Sequence, residues 1–100
     1  MPARITNITL TCNASSGGAV SLQCQGQPVL NPQVMSINEQ RNIPMNMVFS
    51  PYAQVLLTIA EPGLPDISLD MNVGESPTVQ QEFFNVFFAA YTVACHVAQP

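Results

Sequence analysis

Alternation of apolar and polar residues dominates the N-terminal part of the chain. From residue 7 to residue 12 every even position is apolar and every odd position is polar. The same parity returns over 20–25, after the turn-forming segment Ser15–Gly18. Because side chains of a strand point alternately to two faces, each run would bury one face. Two such runs on either side of a Gly-Gly turn predict a β-hairpin.

A second hairpin is predicted further along the chain. Residues 54–60 have apolar odd positions, and residues 67–73 alternate between apolar odd and polar even positions. Between them lies Glu61–Asp66, which is dense in turn-forming residues. Two shorter runs, 34–38 and 45–49, predict further strands, with Pro44 separating them.

The C-terminal segment fits two patterns. Ser76 and Pro77 are typical of a helix start, and the apolar residues spaced along 79–90 would then share one helical stripe. Residues 91–97 instead alternate, which predicts a terminal strand over 90–98. The segment 79–88 is therefore predicted as a strand or a short helical turn.

Together these patterns predict an all-β chain. About seven short strands with regular turn signals are typical of an antiparallel β-sandwich or a small barrel. A short helix near 77–88 is the alternative for the tail. One hundred residues allow one core, so 1–100 is predicted to be a single domain.

Charge is scarce, and this narrows the classes of partner. The chain has two arginines, no lysine and six acids, for a net charge of −4, whereas Asn and Gln together number 17. Two cations cannot neutralise a phosphate backbone or an anionic membrane surface, so we expect no nucleic-acid partner. A neutral, amide-rich surface repels copies of itself only weakly, which favours self-association.

Targeting signals are not evident in the sequence. The apolar runs are far shorter than a membrane span, so no membrane insertion is expected. The first residues lack the basic and apolar regions of a signal peptide. The sequence by itself predicts either a cytoplasmic protein or export without a leader.

The candidate chemical groups do not form a catalytic pattern. Cys95 and His96 are adjacent, so on a strand they point to opposite faces and cannot form a nucleophilic pair. The three cysteines show no short spacing of the kind that zinc sites use. We therefore predict a non-enzymatic protein with no catalytic residue and no cofactor.

Two segments resemble the immunoglobulin family. The stretch 10–15, around Cys12, is similar to strand B of an immunoglobulin domain, and 91–98, around Cys95, is similar to strand F. The resemblance implies a sandwich with a Cys12–Cys95 disulfide between its sheets. The chain departs from the family in lacking tryptophan and in placing Tyr91 four residues before Cys95 rather than two.

Acidic residues gather around the second hairpin. No metal centre is expected from a recognisable motif, but Asp66, Asp70 and Glu75 are the residues that a calcium ion would use there. A binding module that uses its turns, 13–18 and 61–66, for calcium, a glycan or a peptide is the alternative functional hypothesis.

Apolar residues at outward-facing positions support self-association, which is the leading functional hypothesis. Val48 and Leu56 fall opposite the inward sets of their strands, and Phe83 and Phe87 belong to phenylalanine pairs that no single face can bury. One interpretation is a covered sheet or a packed terminal helix. The other is an association surface, since contact patches are enriched in aromatic residues and methionine. We predict a structural protein that assembles with itself through these four residues.

Overall fold

The structure, a computed structural model, describes residues 2–99. That part of the chain contains eight strands and no helix. The strands are β1 (Ala3–Ala14), β2 (Ala19–Cys24), β3 (Gln27–Val34), β4 (Gln40–Phe49), β5 (Ala53–Ala60), β6 (Ile67–Val73), β7 (Val79–Val86) and β8 (Ala89–Ala98).

The strands form a β-sandwich of two four-stranded antiparallel sheets. The first sheet has the order β4-β1-β8-β7 and the second has the order β3-β2-β5-β6. Their inward faces bury one apolar core in which Ile8, Leu57 and Tyr91 are 0% exposed. The predicted all-β sandwich is confirmed.

The first predicted hairpin is wrong. β1 and β2 lie in different sheets, so the segment between them carries the chain across the sandwich instead of reversing it within one sheet. Within its own sheet β1 lies between β4 and β8, with Ile8 opposite Ile43 and Cys95. β2 pairs with β5, where Leu22 lies opposite Leu57.

The second predicted hairpin is confirmed, because β5 and β6 pair with Leu57 opposite Leu69. The strand expected over 34–38 is wrong, since β3 ends at Val34. A further hairpin joins β2 to β3. The chain turns there directly after Cys24, where Gln25 and Gly26 have φ of 53° and 78°. Positive φ at both positions is what a two-residue hairpin turn of type I′ requires.

The C-terminal segment forms two strands, and the helix considered near 77–88 does not form. β7 and β8 make a hairpin in which Val86 lies opposite Ala89. Pro44 does not separate two elements but lies inside β4, which is an edge strand. Proline is tolerated there because an edge strand has a side without hydrogen bonds.

The connections place the four edge strands in two pairs. Residues 35–39 join β3 to β4 at one side of the sandwich, and residues 74–78 join β6 to β7 at the other. The second connection is held by the Gln80 side chain, which accepts a hydrogen bond from the Gly74 amide (2.8 Å) and donates one to its carbonyl (2.9 Å).

Candidate functional site

The four predicted contact residues do not form one patch. Val48 lies on edge strand β4, and Leu56 is half-buried on the outer face of the second sheet. Phe83 lies on β7, at the opposite edge of the first sheet from Val48, and Phe87 lies in the β7–β8 turn. Only Phe83 and Phe87 belong to the same hairpin.

The β7–β8 hairpin carries three exposed large apolar side chains. Val79, Phe83 and Phe87 are 51%, 57% and 96% exposed. The Phe87 ring contacts the partly buried Phe88 ring edge to face, with 5.1 Å between the ring centroids. We call the outward side chains Val79, Gln81, Phe83 and Asn85, together with Phe87, the β7 surface.

The sequence reasoning missed Val79 as a surface residue, although the signal was present. Val79, Phe83 and Phe87 are spaced by four residues. A spacing of four is close to one helical turn, and it also keeps the side chains of a strand on the same face. The spacing therefore groups these residues in either conformation, and the strand places Val79 and Phe83 on the outer face.

The backbone of β7 presents hydrogen-bonding groups to its free edge. The Val97 amide donates to the Thr78 carbonyl (3.1 Å), and the β7–β8 register continues from that pair without a bulge. Successive residues along a strand direct their amide and carbonyl groups to opposite sides. Because Thr78 bonds to β8, the even positions of β7 do so too. The amides and carbonyls of the odd positions, 79–85, point away from β8.

The opposite side of the sandwich is protected against edge pairing. β3 contains Pro28 and Pro32, and β4 contains Pro44, each of which lacks an amide donor. The pairing of β4 with β1 also shifts register beside Pro44. Neither β6 nor β7 contains proline. The β6–β7 side is therefore the less protected of the two.

Ion pairing removes part of the small charge that the chain has. Arg41 forms an ion pair with Glu39, and its Nε donates to the Gln33 side chain (2.8 Å). The pKa of Glu39 is lowered, first by the Ser36 amide that donates to its carboxylate and further by Arg41. Both charges lie on the β3–β4 side, away from the β7 surface.

The cysteines lie in the core. Cys12, Cys24 and Cys95 are free thiols and each is 0% exposed. The Cys12–Cys95 disulfide implied by the immunoglobulin resemblance is wrong, because the two residues lie on adjacent strands of one sheet. Cys12 is opposite Tyr91 there, four residues from Cys95, a separation of about 13 Å that no disulfide spans.

Burial suppresses the reactivity of these thiols. It raises the pKa of Cys12 and of Cys24, and it raises that of Cys95 to about 12. His96 follows Cys95 on β8 but has the opposite, outward parity, as the alternation predicts. No cysteine–histidine pair of the catalytic kind is formed by these two residues.

We expect the native thiols to resist labelling by a maleimide at roughly pH 8 and to react only when the chain is unfolded. The folded state also keeps the Cys95 proton after the unfolded chain has released it above a pH of about 9. The free energy of unfolding should therefore fall between about pH 9 and 12. Labelling kinetics with and without urea test the resistance of the native thiols to maleimide, with the exposed variant Ser68→Cys as positive control. Rapid native labelling would contradict it.

The predicted calcium residues are spread along β6 and do not converge. Asp66 precedes the strand, Asp70 lies in its middle, and Glu75 follows its end. Gln54 donates a hydrogen bond to the Asp70 carboxylate (2.9 Å). Ser50 donates one to Glu75 and lowers its pKa. Within residues 2–99 no group of three or more His, Cys, Asp or Glu side chains could hold a metal ion.

Concave sites are also missing from this part of the molecule. No pocket is found among the described residues. Over the same range, no helix has the length and apolarity needed to cross a membrane. The features that remain as candidates are convex ones: an edge strand with its exposed side chains, and the loops at the ends of the sandwich.

Comparisons with known proteins add one structural likeness. No family model matches the chain, and no curated protein sequence matches it. Among solved structures, the chain is similar to the structure of a C2 domain, with a TM-score of 0.48 and 11% identity, over 98% of this chain and 96% of that one.

Proposed function

We propose that the protein is a non-enzymatic structural protomer that associates with copies of itself through the β7 surface. The observation that carries this proposal is the exposure of Val79, Phe83 and Phe87 along one edge that lacks proline. Large apolar side chains gathered at one edge are typical of contact surfaces. Their burial between two copies would remove apolar area from water, which stabilises association.

Low charge supports the same function. The chain carries eight charged side chains, two arginines and six acids, and Glu82 is the one charged residue within β7. Protein surfaces avoid edge pairing chiefly through charge, proline and bulges. β3 and β4 use proline in this way, whereas β7 does not. This contrast favours association through the β6–β7 side.

The test is the mass of a double variant in solution. We expect Phe83→Glu/Phe87→Glu to reduce the mass from that of an oligomer to that of one chain, 10.8 kDa. Both side chains are more than half exposed, so the variant should keep its fold, as circular dichroism would report. Light scattering behind a sizing column provides the mass.

A matched control is available on the protected side. Val34 and Ile37 are 60% and 59% exposed, so Val34→Glu/Ile37→Glu adds the same charge far from β7. This control should keep the mass of the wild-type assembly. Equal dissociation of both double variants would show a general effect of charge and would contradict association through β7.

A monomeric wild-type chain would favour the alternative function, a binding module that uses its loops. The segments 13–18 and 61–66 lie at the same end of the sandwich. Ser16 donates a hydrogen bond to the Glu61 carboxylate across them (2.7 Å). Two loops held together in this way can present a joint surface to a ligand, as loops of rigid sandwiches often do.

A further inference from the structure

The free edge of β7 defines how a second copy would dock. We infer that two copies pair β7 against β7 in antiparallel orientation, with a two-fold axis that passes beside Gln81. The inference rests on the proposed function and specifies its partner and its register. It joins the two first sheets into one continuous sheet of eight strands.

Backbone hydrogen bonds provide the attraction in this arrangement. The amides and carbonyls of Val79, Gln81 and Phe83 point to the free edge, as the Val97–Thr78 bond and the register of the hairpin require. A second antiparallel β7 presents the same groups in return. With the axis beside Gln81, about six backbone hydrogen bonds would form, two for each of three residue pairs.

The side chains select this register. When the axis lies at Gln81, Val79 is opposite the partner's Phe83 on the outer face, and this apolar pair occurs twice. Cross-strand pairs of an aromatic and a β-branched residue stabilise a sheet. On the inner face, Glu82 is then opposite the partner's Gln80, which is neutral.

The two registers with the axis closer to the β7–β8 turn, at Glu82 or at Phe83, are less favourable because of Glu82. An axis at Glu82 places the carboxylates of both copies directly opposite each other, and like charges in that position destabilise a strand pair. An axis at Phe83 places Glu82 opposite the partner's Phe84, a core residue that is 7% exposed. A single acidic residue thus excludes the first alternative and disfavours the second.

A two-fold axis also limits the size of the assembly. In such an interface each copy uses the same surface, and the contact closes on itself. Each β7 edge pairs with the β7 edge of one partner, so this contact yields a dimer and does not extend into a filament. Larger assemblies would need a second, different contact.

Cysteine cross-linking in the full chain tests the register. In the proposed dimer the two Gln81 residues form a hydrogen-bonded pair, with about 5.5 Å between their Cα atoms, which suits a disulfide. Under a mild oxidant we expect most Gln81→Cys chains to become covalent dimers within minutes. Wild type should not cross-link, because its three cysteines are buried. Asn72→Cys, exposed on edge strand β6, should cross-link far more slowly.

The possible outcomes separate the inference from the function on which it rests. Fast cross-linking of Gln81→Cys, with Phe83→Cys slow, supports the register. A dimer by light scattering whose Gln81→Cys variant does not cross-link, or cross-links more slowly than Phe83→Cys, overturns the register and leaves self-association intact. A wild-type chain of monomeric mass at all accessible concentrations overturns both.

Discussion

Replacement of Leu57 by alanine is expected to lower the free energy of unfolding by about 2–5 kcal/mol. Leu57 is 0% exposed and lies on β5, opposite Leu22 of β2 on one side and Leu69 of β6 on the other. Alanine leaves a cavity that the surrounding strands cannot close, because their positions are fixed by backbone hydrogen bonds. The protein loses both the burial of the side chain and its dispersion contacts.

This loss is large for a chain of this size. Domains of about 100 residues have a free energy of unfolding of about 5–15 kcal/mol. The melting temperature should therefore fall by roughly 8–40 °C, since 1 kcal/mol corresponds to about 4–8 °C in small domains. Thermal unfolding followed by circular dichroism provides the measurement.

The adjacent leucine is a matched control. Leu56 is half-buried on the outer face of the second sheet, where it is flanked by Gln23 and Asp70. Leu56→Ala should cost less than about 1 kcal/mol, because a partly exposed side chain loses less burial. Equal effects of the two substitutions would contradict the assignment of the two faces of β5.

The second large effect is expected at Gly18, where the chain crosses between the sheets. A Cβ at this position would lie 2.6 Å from a Glu61 carboxylate oxygen, 3.0 Å from the Ala60 carbonyl oxygen and 3.3 Å from the Glu61 Cα. The side chain of Glu61 can move, but only by giving up its hydrogen bond from Ser16. The backbone of Ala60 cannot move without disturbing β5.

We therefore expect Gly18→Ala to lower the free energy of unfolding by about 1–3 kcal/mol, the usual cost of overpacking. Gly74→Ala is the control, because its Cβ would meet a Gln80 oxygen at an ordinary 3.8 Å. That substitution should change stability by less than about 1 kcal/mol. Urea unfolding of both variants measures the difference. A neutral Gly18→Ala would show that the two loops separate easily.

Combining Gly18→Ala with Glu61→Ala identifies the origin of the loss. The double variant removes the clash with the carboxylate but keeps the close approach to the backbone of Ala60. If the backbone contact dominates, the double variant stays as unstable as Gly18→Ala. Recovery in the double variant would assign the cost to the side chain of Glu61.

The candidate site was only partly predictable from the sequence. Phe83 and Phe87 stood out because paired phenylalanines cannot all be buried in a small sandwich. Val48 and Leu56 stood out because they are apolar and fall opposite the inward sets of their strands, yet the structure places them apart from β7. Outward parity indicates that a side chain points away from the core of the sandwich, but it carries no information on which strands are neighbours.

The disulfide implied by the immunoglobulin resemblance shows the same limit. Cys12 and Cys95 both have inward parity, and both are buried. A bridge between sheets also requires that their strands face each other, whereas β1 and β8 lie side by side. Short alternating segments are similar among many β proteins, so their likeness does not determine the pairing.

What the sequence determined by itself is the local conformation. The alternation with period two identified most strands, their inward faces and the turn at 61–66, because these depend on neighbouring residues. The tertiary structure decided how the strands are arranged. β1 and β2 bury the same residues whether they pair in one sheet or face each other across the core, so alternation could not distinguish a hairpin from a crossing. The edge position of β7 was decided in the same way, by contacts between residues distant in the chain.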